Sequence, residues 1–75
     1  MQEIYKYLTF GKAQKQPPKT QVWECKNKNS GTVLGLVKWY GPWRQYCYFP
    51  IVQAVYSTGC MNDIAHFIVQ LKTEG

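Results

Sequence analysis

The chain has 75 residues, of which 45% are hydrophobic and 16% aromatic, a composition that excludes a disordered protein and fits one small domain with a thin core. Its formal net charge at pH 7 is +5, and the first 38 residues carry seven lysines against two glutamates. This uneven charge is compatible with an anionic partner, either nucleic acid or an acidic protein surface, and equally with a solvated lysine-rich face.

The first twenty residues differ in character from the rest of the chain. The segment MQEIYKYLTF is rich in β-branched and aromatic side chains, so residues 3–10 are a candidate fourth strand. The following segment, GKAQKQPPKT, contains two prolines and almost no apolar side chain, as is typical of a loop. We therefore divide the chain into residues 1–20, a strand or arm with a proline-containing loop, and residues 21–75, a single β-β-β-α domain.

Three strands are predicted in the middle of the chain. They cover Gln21–Lys28, Thr32–Tyr40 and Trp43–Phe49. Turn-forming residues separate them, with Asn29–Ser30 between the first two strands and Gly41–Pro42 between the last two. Two tight turns in succession predict an antiparallel meander.

One helix of about 12 residues is predicted from Cys60 onward, where the hydrophobic period changes from two to 3.6. Ser57 or Thr58 is the expected N-cap, and Asp63 is expected in the first turn. The apolar stripe of this helix consists of Met61, Ile64, Ala65, Ile68 and Leu71. The predicted fold class is α+β, a three-stranded meander, or a four-stranded one with residues 3–10, with the C-terminal helix packed on one face.

The two turns also predict which side chains share a face of the sheet. Two-residue turns place six core residues beneath the helix, namely Trp23, Cys25, Leu34, Leu36, Cys47 and Phe49. The other face then points outward with Trp39, Tyr46 and Tyr48 beside Lys26 and Arg44. Two alternatives stay open: residues 1–10 fold back over these rings, or a one-residue bulge exchanges the faces.

The sequence offers little catalytic or metal-binding chemistry. It contains one histidine, His66, four acidic residues and no phosphate-binding loop or nucleophile motif, so we predict no enzyme and no cofactor. The cysteines at positions 25, 47 and 60 match no zinc spacing, and no metal site is expected. The absence of an apolar leader or membrane-length run, together with an odd number of cysteines, favours a reducing, cytoplasmic setting without a membrane.

Residues 39–49, WYGPWRQYCYF, carry the binding hypothesis, because six of these eleven residues are aromatic and one is arginine. Aromatic rings interleaved with cations suit stacked bases and phosphates. We therefore predict nucleic-acid binding by Lys26, Trp39, Arg44, Tyr46 and Tyr48. The same composition also suits a protein-binding inhibitor of a host enzyme or defence system, an oligomeric assembly factor, or rings that only brace a thin core.

The runs LGLVKWYGPWRQYCYFP and STGCMNDIAHFI resemble those of small uncharacterised proteins encoded by bacteriophages and prophages. The resemblance rests on a W-R-x-Y centre and a C-L-x-D-I-x-x-F-I helix, which this chain matches at Trp43, Arg44, Tyr46, Cys60, Asp63, Ile64, Phe67 and Ile68. It implies a phage or mobile-element origin, action in the cytoplasm of a host bacterium, and the binding of a host factor as a common role, but no established activity.

Overall fold

The computed structural model describes residues 1–51 and 53–74, which form a four-stranded antiparallel sheet and one C-terminal helix. The strands are β1 (Leu8–Lys12), β2 (Val22–Asn27), β3 (Val33–Tyr40) and β4 (Gln45–Pro50), and the helix is α1 (Thr58–Glu74). The spatial order β1-β2-β3-β4 follows the chain, so the predicted α+β class and antiparallel meander are confirmed. The sheet has four strands, which is the second of the two predicted counts.

The fourth strand comes from the N-terminal segment, although it starts later than residues 3–10. Phe10 pairs with Cys25 of β2, and Leu8 and Phe10 are both buried, because alternate residues of β1 face the helix. Tyr5 precedes the strand and is also buried in the same core. A reciprocal pair of hydrogen bonds between Gln2 and Gln70 fastens this segment to α1.

The β2–β3 connection is longer than the predicted two-residue turn. The Asn27 side chain accepts hydrogen bonds from the backbone N–H groups of Asn29 and Ser30, and Gly31 adopts a φ of 75°, which a glycine reaches without steric cost. A bulge follows, because Lys26 pairs with Val33 whereas Cys25 pairs with Gly35. The bulge shifts β3 by one residue relative to the predicted register.

The β3–β4 connection also differs from prediction, but by two residues. Gly41–Trp43 form a short 3-10 turn, Arg44 closes it, and Tyr40 therefore pairs with Gln45 instead of Trp43. A two-residue shift preserves the alternation of faces within this hairpin, so it moves no side chain across the sheet.

The one-residue shift exchanges the two faces of β3 and β4 relative to β2. Val37 pairs with Trp23 and is fully buried on the helix side, and Tyr46 and Tyr48 pack against the same core. The prediction that Trp39, Tyr46 and Tyr48 point away from the helix is therefore wrong. Of the four residues that the same prediction placed in the core of β3 and β4, Leu34 is half-buried and packs against the core cluster. The other three are half-buried and do not belong to it, namely Leu36, Cys47 and Phe49.

The helix has a predicted N-cap, but it is 17 residues long rather than about 12 and buries a different stripe. The Ser57 hydroxyl accepts a hydrogen bond from the Cys60 N–H, so Ser57 is the N-cap, and Asp63 lies beyond the first turn. The core of α1 is Ile64, Phe67 and Leu71, whereas Met61 and Ala65 are exposed. The predicted stripe omitted Phe67.

Phe67 is the centre of the core. Its ring stacks on Phe10 with 4.1 Å between centroids and meets the edge of Trp23 at 5.1 Å. Because Phe10 and Trp23 belong to β1 and β2, this one side chain joins the helix to the N-terminal half of the sheet. Large aromatic surfaces packed in this way supply most of the burial available to so small a domain.

Candidate functional site

The end of the β3–β4 hairpin forms one wall of a cavity of about 570 Å³, which we call the hairpin-end cavity. Trp39 and Tyr46 line it from the two strands, and Arg44 lines it from the turn. Leu71 of α1 forms an apolar wall. A volume of this size falls in the range of small-molecule sites, which span roughly 300–1,000 Å³.

The two rings of the cavity are held at a fixed angle to one another. Trp39 pairs with Tyr46 across the hairpin, and their ring centroids lie 5.4 Å apart at 81°. The Tyr46 hydroxyl accepts a hydrogen bond of 3.1 Å from the Gln21 N–H. Trp39 remains 41% exposed, so an indole surface is open to a ligand while its neighbour is anchored.

The proline-containing loop between β1 and β2 supplies another wall. The Gln16 side chain donates to the Ala13 and Val22 carbonyl oxygens and accepts from the Val22 N–H. These three hydrogen bonds close the loop, because the Gln16 amide pairs with the Val22 backbone as a neighbouring strand would. Lys19 and Thr20 are thereby brought to the rim of the cavity.

Three cationic side chains surround the cavity: Lys19 of the loop, Arg44 of the turn and Lys72 of α1. All three are exposed, and the described residues that line the cavity include no carboxylate. The C-terminus of α1 contributes a partial negative charge of about half an electron, which Lys72 in the last turn opposes. The field in the cavity therefore favours an anion.

Arg44 occupies a strained backbone position. Its φ is 51° and its ψ 48°, and it is the non-glycine residue with positive φ in the part of the chain that the structure describes. A side chain in this left-handed region costs about 1–2 kcal/mol relative to ordinary conformations. The turn thus carries an arginine where glycine would be favoured.

A second group of rings lies on the opposite side of the sheet, on the face away from α1, which we call the open face. Trp43 packs on Tyr40 with centroids 5.0 Å apart, and Tyr40 packs on Phe49 at 5.9 Å. The Lys38 ammonium lies 4.8 Å above the Phe49 ring. We call Tyr40, Trp43 and Phe49 the open-face cluster, and Trp43 is its outermost member, 66% exposed.

The structure brings together three of the five residues predicted for binding and separates the other two. Trp39, Arg44 and Tyr46 line the hairpin-end cavity. Lys26 lies on the open face, where it forms an ion pair of 3.6 Å with Glu24. Tyr48 lies on the helix side, but outside the lining of this cavity.

Tyr48 is held in place by its packing against the core and by a hydrogen bond. Its hydroxyl forms a hydrogen bond of 2.7 Å with that of Tyr56. Burial and this hydrogen bond raise the pKa of Tyr48 above its ordinary value. A Cβ at Gly35 would come within 2.5 Å of the Tyr48 ring, so glycine at that position makes room for it. Tyr48 therefore stays neutral and fixed.

No helix in the described part of the chain is long and apolar enough to cross a membrane. Residues 1–51 and 53–74 contain no group of three or more His, Cys, Asp or Glu side chains placed to hold a metal ion. The three cysteines are free thiols, and Cys25 is fully buried.

Over 68 residues, the chain is 38% identical to the uncharacterised 9.3 kDa protein of Acholeplasma phage L2, an alignment that covers 91% of this chain and 87% of that protein. The chain belongs to a family of small phage proteins. No protein-family model and no solved structure matches the present chain. Its resemblance to small phage proteins is confirmed, whereas the finer motif pattern stays a prediction.

Sequence reasoning missed several residues of this small phage protein that stand at the two aromatic sites. The five residues predicted for binding did not include Lys72 of the hairpin-end cavity, nor Tyr40, Trp43 and Phe49 of the open-face cluster. The sequence signal for the open-face cluster was the number of rings in residues 40–49. Which of these rings share a face follows only from the observed register.

Proposed function

We propose that this small phage protein binds nucleic acid at the hairpin-end cavity. The observation that carries the proposal is the meeting of the Trp39 and Tyr46 rings with three cations in one cavity, without a carboxylate among the described lining residues. An aromatic face accepts any base by stacking, and exposed cations attract the phosphates on either side of it.

The character of Arg44 supports the proposal. Its guanidinium is planar and always charged, so it can donate two parallel hydrogen bonds to a phosphate. The turn keeps this residue in a backbone conformation that disfavours it. The W-R-x-Y motif of Trp43, Arg44 and Tyr46, as a family feature, would then be a binding motif.

A salt titration of oligonucleotide binding tests the proposal. If Lys19, Arg44 and Lys72 each neutralise one phosphate of a single strand, the slope of log K against log salt is about −2. Arg44→Gly should reduce that slope by about 0.7, because it removes one contact. Glycine fits the left-handed turn, so this variant keeps the fold. Fluorescence anisotropy with a labelled oligonucleotide measures the binding constants of the wild type and of Arg44→Gly at each salt concentration.

Lys28→Gln is the matched control. It also removes one positive charge, but Lys28 follows β2 at the end of the sheet opposite the β3–β4 turn. Its salt slope should equal that of the wild type. Absence of binding at low salt, or equal effects of the two variants, would refute the proposal, and a stable complex with a host protein would then support the inhibitor hypothesis.

A further inference from the structure

We infer that the ligand is single-stranded and that one strand passes around the end of the β3–β4 hairpin, from the hairpin-end cavity to the open-face cluster. This inference rests on the proposed function and narrows it to a substrate class. It concerns a second contact surface, the open-face cluster.

Two consecutive residues of the turn, Trp43 and Arg44, lie on opposite sides of the sheet. Arg44 lines the cavity on the helix side, whereas Trp43 packs on Tyr40 of the open face. The turn therefore presents a cation to one side of the sheet and a large ring to the other. Neighbouring residues on one chain define a continuous path between the two surfaces.

The open-face cluster is both exposed and braced. Trp43 is 66% exposed, yet its ring is braced at 88° against Tyr40, which in turn packs on Phe49. A braced, exposed ring loses little conformational entropy when a base stacks on it. Lys38, above the Phe49 ring, adds a positive charge to the same patch.

Stiffness selects the type of strand. A strand that passes from one face to the other turns around the thickness of one sheet, about 10 Å with its side chains, and a duplex with a persistence length of about 150 base pairs cannot bend so sharply. The whole molecule measures only 31 × 23 × 22 Å. A single strand is flexible, and its bases are free to stack on both sets of rings.

Tryptophan fluorescence gives a direct test, because each side of the turn has its own indole. Trp39→Phe leaves Trp43 as the exposed reporter, and Trp43→Phe leaves Trp39, while Trp23, 5% exposed, gives a constant background in both. An oligopyrimidine of about twelve nucleotides should quench the fluorescence of both variants, with a stoichiometry of one protein per strand. The two titration midpoints should differ only by the affinity that each substitution itself removes.

Trp43→Ala supplies the affinity test. It should weaken binding of the same oligonucleotide about five-fold or more, as expected for loss of one stacked base. Tyr7→Ala is the control, since Tyr7 is also an exposed ring beside a lysine but lies at the other end of the sheet. It should bind like the wild type.

The outcomes separate this inference from the proposed function. Quenching of Trp39 without Trp43, two strands bound per protein, or equal affinity for a duplex would overturn the single-strand path and leave the cavity proposal standing. If the wild-type protein binds neither a single strand nor a duplex, both the single-strand path and the cavity proposal are refuted. Quenching of both indoles by one strand, with weaker binding by Trp43→Ala, supports the path.

Discussion

At Arg44 and at Cys25, the local environment of a single residue has a consequence that can be measured. Arg44 keeps a positive φ that glycine would adopt freely, and the cost of about 1–2 kcal/mol buys a cation at the rim of the cavity. Cys25 is fully buried between β1 and β3, where a thiol serves as a small apolar side chain. Each position therefore has a measurable signature.

Cys25 predicts how stability depends on pH. Burial raises the pKa of its thiol from 9.0 to about 11. Below pH 9 the thiol is protonated in both states, but between pH 9 and about 11 the unfolded chain loses the proton first. The free energy of unfolding should therefore fall as pH rises through this window, as measured by urea denaturation.

Cys25→Ala is the control for that measurement, because the variant lacks the titrating thiol. Tyrosines 5 and 48 also have raised pKa values, through burial first of all, so some decline remains in the variant. The decline should be shallower than in the wild type. Identical slopes in the two proteins would contradict the assignment of a buried, neutral thiol.

The proline-containing loop is the element that connects the fold to the candidate site. Two hydrogen bonds between its Gln16 side chain and the Val22 backbone hold the loop against β2, and a third joins Gln16 to Ala13. The end of the loop carries Lys19 and the Gln21 N–H that anchors Tyr46. A loop with almost no apolar side chains has no core of its own, so the amide of one glutamine supplies its order.

Gln16→Ala should separate local order from global stability. We expect the free energy of unfolding to fall by only about 1 kcal/mol, because the bonds are at the surface. Hydrogen exchange at Val22 should become faster, and oligonucleotide affinity should fall because Lys19 is released. Gln14→Ala, an exposed neighbour that makes none of these contacts, should change neither property.

At the level of elements, the sequence predicted much of the fold correctly. Alternation and turn residues located β2, β3 and β4 within a few residues, and the 3.6-residue period located α1. The helix stripe was incomplete because Phe67 falls between Ile64 and Ile68 in a segment that is apolar on more than one side. Periodicity alone does not say which side faces the sheet.

In the whole molecule, one bulge decides which residues are buried. The extra residue between Val33 and Gly35 sends Val37 inward and leaves Leu36 on the open face. Gly35 within β3 is a local signal for a bulge, but both faces of this strand are apolar, so the pattern does not show which face is buried. For that reason Trp39, Arg44 and Tyr46 were selected on the wrong face, although they do meet at one cavity.

A matched pair of variants tests this register. Val37→Ala should lower the free energy of unfolding by about 2 kcal/mol, from the lost burial and the resulting cavity. Leu36→Ala removes more atoms but from a half-buried position, and should cost less than about 1 kcal/mol. Chemical denaturation measures both, and the reverse order would mean that the faces of β3 are assigned incorrectly.

The bulge also has a consequence for how this family can diverge. Because side chains alternate with a period of two, gaining or losing one amino acid at the bulge, between Val33 and Gly35, would turn the whole β3–β4 hairpin inside out. Substitutions there leave the alternation intact. The residue types at the bulge can therefore change more readily than its length, except at Gly35, where a Cβ would clash with the Tyr48 ring.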